Sequence, residues 1–285
     1  MALRTRRLAI PGLAAAIVMA TLAAPAAALA IGNGVPDGNA HPNVGLLAVE
    51  EGGHRFPVGC SGSYAGARKD AASTGVFLTA GHCVAWMPDS GIAASQLRVT
   101  FDANATIDPE TFEVTATAWY QATAFAFDPA LGHDRSNLKD YAVVLLSTTV
   151  PVAPVQLPAA ELLDELAARG DLRPGAVFDN VGYGWMPSFK TGPPSVALPP
   201  GRMFSTSLFQ GLTGSWLKLL MNSDAAEGNG GVCAADSGSP HFIHQTNTAV
   251  VVASGGDAIC RAESYNQRLD VADARAFLGH YLSLP

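Results

Sequence analysis

From Ile31 onward, short apolar runs alternate with Gly, Pro, Asn and Asp. The runs "VGLLAVE" (44–50), "GVFLTA" (75–80), "LRVTF" (97–101), "FEVTATAWYQATAF" (112–125) and "YAVVLLS" (141–147) have the β-branched and aromatic content of strands. So do "AVFDNVGYG" (176–184), "WLKLLMN" (216–222) and "TAVVVASG" (248–255). Many short strands between turn signals predict an all-β barrel or sandwich. Two stretches depart from this pattern: "AAELLDELAARG" (159–170) and "VADARAFLGHYL" (271–282) carry helical spacing. Between Thr148 and Pro158 a proline-rich run reads as an extended connector between two halves, and no internal repeat is legible.

Residues 1–30 follow a different rule. Arg4, Arg6 and Arg7 precede a mostly apolar segment that ends in Ala28-Leu29-Ala30, a small-x-small cleavage signal. The expectation is a signal peptide over 1–30 and a secreted protein, extracellular or periplasmic. Without those three arginines, 14 Lys and Arg face 24 Asp and Glu, a net charge of −10. An acidic surface of that size argues against nucleic acid or anionic lipid as a partner. No later apolar run is long enough to span a bilayer, so no membrane association is expected after cleavage.

Four cysteines, Cys60, Cys83, Cys233 and Cys260, remain in an exported chain, which invites two disulfides in any of three pairings. Local pairing would close two short loops. No two cysteines have a close zinc-ligand spacing. His241 and His244 are an odd number of residues apart, which on a strand turns them to opposite faces. No metal or cofactor is expected.

The octapeptide "CAADSGSP" (233–240) places Ser237 in an Asp-Ser-Gly turn. His82 ends an apolar strand beside Cys83, and Asp140 opens another in "KDYAVVLL". Each residue alone reads as an ordinary turn or strand-end residue. Their order His82, Asp140, Ser237, with cysteines around the first and last, changes that reading. The segments "IGNG" (31–34), "CSGSY" (60–64), "LTAGHC" (78–83), "DYAVVLL" (140–146), "GYG" (182–184), "CAADSGSP" and "SGG" (254–256) follow one another as in a known family. On these the chain resembles the trypsin/chymotrypsin family of serine endopeptidases, in a form like those secreted by bacteria.

The resemblance implies two six-stranded antiparallel β-barrels packed together, about 31–150 and about 151–270, and a C-terminal α-helix at about 271–283. It implies disulfides Cys60–Cys83 and Cys233–Cys260, and a monomer acting on protein or peptide substrates. Ser237 would be the nucleophile, His82 the general base and then acid, and Asp140 its buried partner. A serine hydroxyl attacks only when a base takes its proton, and imidazole titrates near working pH. The backbone N–H groups of Ala235 and Ser237 would form an oxyanion hole. A new N-terminus at Ile31, released as the signal is cut, would form an activating ion pair with Asp236. Gly231 would floor a neutral pocket walled by Val232, Ser254 and Gly256, favouring apolar side chains before the cleaved bond.

One departure stands beside the nucleophile: the family has glycine where this chain has Ala235. If that position needs a conformation only glycine adopts freely, the methyl group costs roughly 1–2 kcal/mol. The rival reading follows from it: a catalytically weakened trypsin-fold binding module. An α/β-hydrolase is excluded by the residue order and the lack of a G-x-S-x-G elbow.

Overall fold

The computed structural model describes residues 31–188, 195–222 and 229–285, so the expected signal peptide lies outside the described residues. The first barrel is built from β1 (Val44–Glu51), β2 (His54–Arg68), β3 (Ala71–Thr79), β4 (Leu97–Thr100), β5 (Tyr120–Phe127) and β6 (Ala142–Leu146). The second is built from β7 (Val177–Gly182), β8 (Met203–Leu212), β9 (Trp216–Leu220), β10 (Pro240–Ile243), β11 (Ala249–Gly256) and β12 (Glu263–Arg268). Helices are short: α1 (His82–Ala85), α2 (Leu162–Ala168) and α3 (Ala272–Leu278). The fold is all-β with two closed six-stranded antiparallel barrels and a C-terminal helix.

The barrels share one strand order. The first runs β1-β2-β3-β6-β5-β4 and closes on β1; the second runs β7-β8-β9-β12-β11-β10 and closes on β7. Every one of these pairings is antiparallel. A duplicated topology is present that the residues themselves do not display.

The continuous apolar runs belong to strands covered on both faces. In β3, Phe77 points into the first barrel's core with Leu47, Val99 and Val144. Its neighbours Val76 and Leu78 point out, against Tyr141, Val143 and Phe277 of α3. In β6, Ala142, Val144 and Leu146 face in, and Val143 and Leu145 face out. Both sides of each strand therefore need apolar residues, which erases the usual alternation. The C-terminal helix covers this shared seam.

The second barrel mixes an apolar end with a buried polar one. Phe178, Leu217, Leu219, Val250 and Val251 pack against Leu163 of α2. Elsewhere Asn180, Ser207, His241 and Asn266 are all completely buried. Asn180 Nδ2 donates to Ser207 Oγ at 2.7 Å, and Ser207 Oγ donates to Gly230 O at 2.7 Å. Burial pushes His241 down to about 3, so it stays neutral and bonds Asn180.

Two sequence expectations are refined. The run 112–125 is split: Val114–Thr115 pairs with Thr106–Ile107 in a small hairpin, and only Tyr120–Phe127 enters the barrel. Left-handed backbone at Phe112 (φ 59°) marks that hairpin's turn. Strand β8 has no apolar run, because its inward positions Ser205 and Ser207 are buried polar residues bonded to Asn180.

The segment leading out of Ile31 is strapped to both barrels by Arg202. Its guanidinium donates to Asp37 at 2.8 Å, Val44 O at 3.1 Å and Phe101 O at 3.0 Å. Burial pushes the Asp37 carboxyl up, but the bonds from His41 and Arg202 outweigh it and hold it below the ordinary range.

Candidate functional site

His82 opens the single turn α1, directly after β3. Asp140 precedes β6 on the neighbouring strand, and left-handed Lys139 (φ 53°) turns it inward. Pairing of β3 with β6 thus brings the two together. His82 Nδ1 donates to Asp140 Oδ2 at 2.8 Å, and the His82 backbone N–H donates to Oδ1 at 2.8 Å. Ser254 Oγ donates to Oδ2 at 2.6 Å. Burial pushes the Asp140 carboxyl up, but these bonds and the His82 charge hold it below the ordinary range. The imidazole is 43% exposed, so its free edge opens to the cleft.

Ser237 comes from the second barrel. Its carbonyl accepts the Ser61 N–H at 2.9 Å, which ties its loop to the first barrel beside Cys60. Among the described residues no hydrogen bond joins Ser237 Oγ to His82, and none reaches the other edge of the imidazole. His82, Asp140 and Ser254 are joined by hydrogen bonds that Ser237 Oγ does not share among the described residues.

Ala235 adopts φ 68°. That is left-handed backbone, which glycine enters freely and alanine only at a cost. The next residue, Asp236, is completely buried. Its carboxylate accepts the Cys233 N–H at 2.9 Å and the Gly184 N–H at 2.8 Å. Burial outweighs those two bonds and pushes its carboxyl up to about 7. The "GYG" motif gains its reason here. A Cβ on either Gly182 or Gly184 would lie 2.2 Å from an Asp236 oxygen, so both glycines make room for the carboxylate. Ile31 is buried against Met203, in left-handed backbone (φ 53°), and Gly32 and Gly231 exchange hydrogen bonds at 2.7 and 3.0 Å.

A cavity of about 250 Å³ lies beside Ser237, lined among others by Val232, Ala234, Ala253, Gly256 and Asp257. Met221 sets its depth. A Cβ on Gly231 would lie 2.3 Å from Met221 Cγ, and one on Gly256 would lie 3.2 Å from Met221 Cε. The thioether packs between the expected floor and wall, and Gly231 does not line the cavity. Ser254 also turns elsewhere, to Asp140. The sequence signals for Met221 are weak: it is one apolar residue at the end of an apolar strand.

Both disulfides are formed, Cys60–Cys83 and Cys233–Cys260. Cys60, His82 and Cys83 bring their ligand atoms within 4.8 Å of one another, but the two sulfurs are bonded to each other and offer no thiolate. His241 and His244 do face opposite ways, His241 buried on Asn180 and His244 at 2.6 Å from Asp179 near the surface.

The fold is the trypsin-like double barrel. Human heparin binding protein has a similar structure, with a TM-score of 0.53 and 15% identity over 84% of this chain and 91% of that one. A mutant of the same human protein, also called CAP37, matches with a TM-score of 0.52 and 15% identity, over 84% of this chain and 90% of its own. No protein-family model and no curated protein matches this chain. Likeness at this identity speaks for the fold.

The endopeptidase expectation is therefore corrected, and with it the terms hydrolase, protease and serine protease. Among the described residues His82 and Asp140 are hydrogen-bonded, but no hydrogen bond links Ser237 Oγ to them, so the fully connected triad expected from the sequence is not formed in this structure. The two solved structures named above carry the name of a heparin-binding protein, and at 15% identity they support the shared fold alone. An apolar preference before a cleaved bond falls with the activity.

Proposed function

We propose that this chain is a secreted, catalytically weakened trypsin-fold binding module that holds an extended segment of a protein or peptide in the cleft between its barrels. The observation that carries the reading is that Ser237 Oγ makes no hydrogen bond to His82 among the described residues. A hydroxyl with no base on its proton is a hydrogen-bonding group in a cleft wall and not a nucleophile. Strained Ala235 supports it, because an oxyanion hole depends on accurately aimed N–H groups.

The binding half rests on a strand edge. Strand β11 pairs with β10 only as far as Val252, while its other side pairs with β12 out to Gly256. Ser254, Gly255 and Gly256 therefore keep one edge without a strand partner among the described residues. An extended peptide can add its own main chain to such an edge, with side chains alternating into the adjoining cavities.

The test pairs binding with chemistry. Labelled peptides should bind saturably by fluorescence anisotropy and be recovered intact by mass spectrometry. A serine-directed phosphonate should leave Ser237 unmodified. Multiple turnovers of peptide, or rapid stoichiometric labelling of Ser237, would overturn the proposal.

A further inference from the structure

Beyond the open edge of β11 lies a second cavity of about 760 Å³, with Arg135, Trp216, Lys218, Tyr265 and Gly255 among its walls. Its charge is the reverse of the molecule's. The whole chain carries a formal net charge of −7, yet among the described residues this cavity is lined by two cations and no carboxylate.

The nearby acids are turned to other work. Asp134 Oδ1 accepts the backbone N–H and hydroxyl of Ser136, each at 2.8 Å. Glu263 accepts the Tyr265 hydroxyl and does not line the cavity. Arg135 is exposed and makes no hydrogen bond or ion pair among the described residues. Lys218 Nζ sits 4.8 Å from the centroid of the Tyr265 ring, which holds the ammonium without neutralising it.

The walls are also held in place. Trp216 Nε1 donates to Ser136 O at 2.9 Å, fastening the Arg135 loop to β9. Gln267 Nε2 donates to Asn137 Oδ1 at 3.2 Å and to Ser215 O at 3.2 Å, bridging the same loop to the β8–β9 turn. The two cations therefore share a cavity with the Trp216 indole on a braced frame, beside the strand edge where an added peptide would run.

We infer that this cavity selects acidic peptide segments, with an Asp or Glu side chain of the bound strand received by Arg135 and Lys218 over the Trp216 indole. The inference rests on the binding-module reading and adds the class of partner. A free strand edge favours a peptide over a sulfated glycan, because a glycan has no backbone N–H and C=O row to pair with it. Each exposed cation–carboxylate contact is worth up to about fivefold in affinity at low salt, and the effect fades as salt screens it.

The experiment measures anisotropy for three labelled peptides of equal length, differing only in acidic, neutral or basic side chains. The proteins are the wild type, Arg135→Gln, and Arg135→Gln with Lys218→Gln, each checked for an unchanged melting temperature. Arg135 is exposed and unpaired, so its single variant keeps the test available whatever Lys218 contributes to folding. The acidic peptide should bind tightest to wild type, by roughly tenfold over the neutral one. That preference should fall by about fivefold in the single variant, vanish in the double, and vanish in 1 M salt. Equal binding of all three peptides to wild type would overturn the acidic selectivity while leaving the binding module standing. Binding of no peptide would overturn both, and a heparin fragment binding where no acidic peptide does would reassign the cavity to glycans.

Discussion

Asp140 holds His82 at two points, accepting its ring N–H and its backbone N–H, each at 2.8 Å. The pair orients the imidazole completely and still leaves Ser237 unattached. It also makes Asp140 a stability element. Its lowered carboxyl means that the folded chain gives up this proton more readily than the unfolded chain. The stabilisation is present above the ordinary carboxylate range and is lost as pH falls through the folded value. Asp140→Asn should cost about 1–3 kcal/mol at pH 7, with the deficit shrinking at a pH below the ordinary carboxylate range. Thermal melts of both proteins at the two pH values check this; a deficit independent of pH would contradict it.

Asp236 should behave in the opposite sense. Its carboxyl sits at about 7 in the folded chain. Between about pH 4 and 7 the unfolded chain loses this proton while the folded chain keeps it, so stability falls as pH rises through that window. In the full 285-residue chain, Asp236→Asn should flatten this fall, whatever its absolute melting temperature. If a chain that begins at Ile31 brings its ammonium to the buried carboxylate, it should flatten the fall too. Denaturant titrations at pH 4, 5.5 and 7 on the three proteins provide the comparison, and identical slopes would refute it.

Ala235 carries a methyl group in left-handed backbone. Ala235→Gly should stabilise the protein by about 1 kcal/mol, raising its melting temperature by roughly 2–4 °C. Ser237, expected to stay unmodified by a phosphonate in the wild type, should begin to react in the glycine variant if the methyl group is what spoils the aim of the neighbouring N–H. A lower melting temperature in the glycine variant would show that alanine fits without strain.

The Cys233–Cys260 bridge closes a loop of 27 residues and joins two walls of the smaller cavity. Replacing both cysteines by serine should cost about 3 kcal/mol and loosen that cavity. Mass mapping of the unreduced protein should recover this bridge and Cys60–Cys83. Any crossed pairing would contradict the fold.

Much of the architecture was legible along the chain. Turn residues between apolar runs marked the strands, and periodicity placed both helices near 159–170 and 271–282. The motifs around His82, Asp140 and Ser237 located the cleft, because each sits at a strand end or turn where local residue choice carries information. Strand β8 carries no apolar run because two of its inward positions are the buried serines Ser205 and Ser207. The run at 112–125 reads as one strand because its composition is continuous, whereas in the fold Thr117, between the two pieces, turns aside to bond Asp102.

What the residues could not decide was whether three side chains meet. His82 and Asp140 are joined because β3 pairs with β6, a contact between strands far apart in sequence. Ser237 reaches the cleft on a loop of the other barrel, where the backbone of Ala235 and the buried charge of Asp236 govern its position. Residue identity sets which groups are available; a hydrogen bond also needs distance and angle, and those arise only when two separate barrels pack. The same holds for Arg135 and Lys218, 83 positions apart, whose shared cavity exists only because Trp216 and Gln267 fasten one loop to the second barrel.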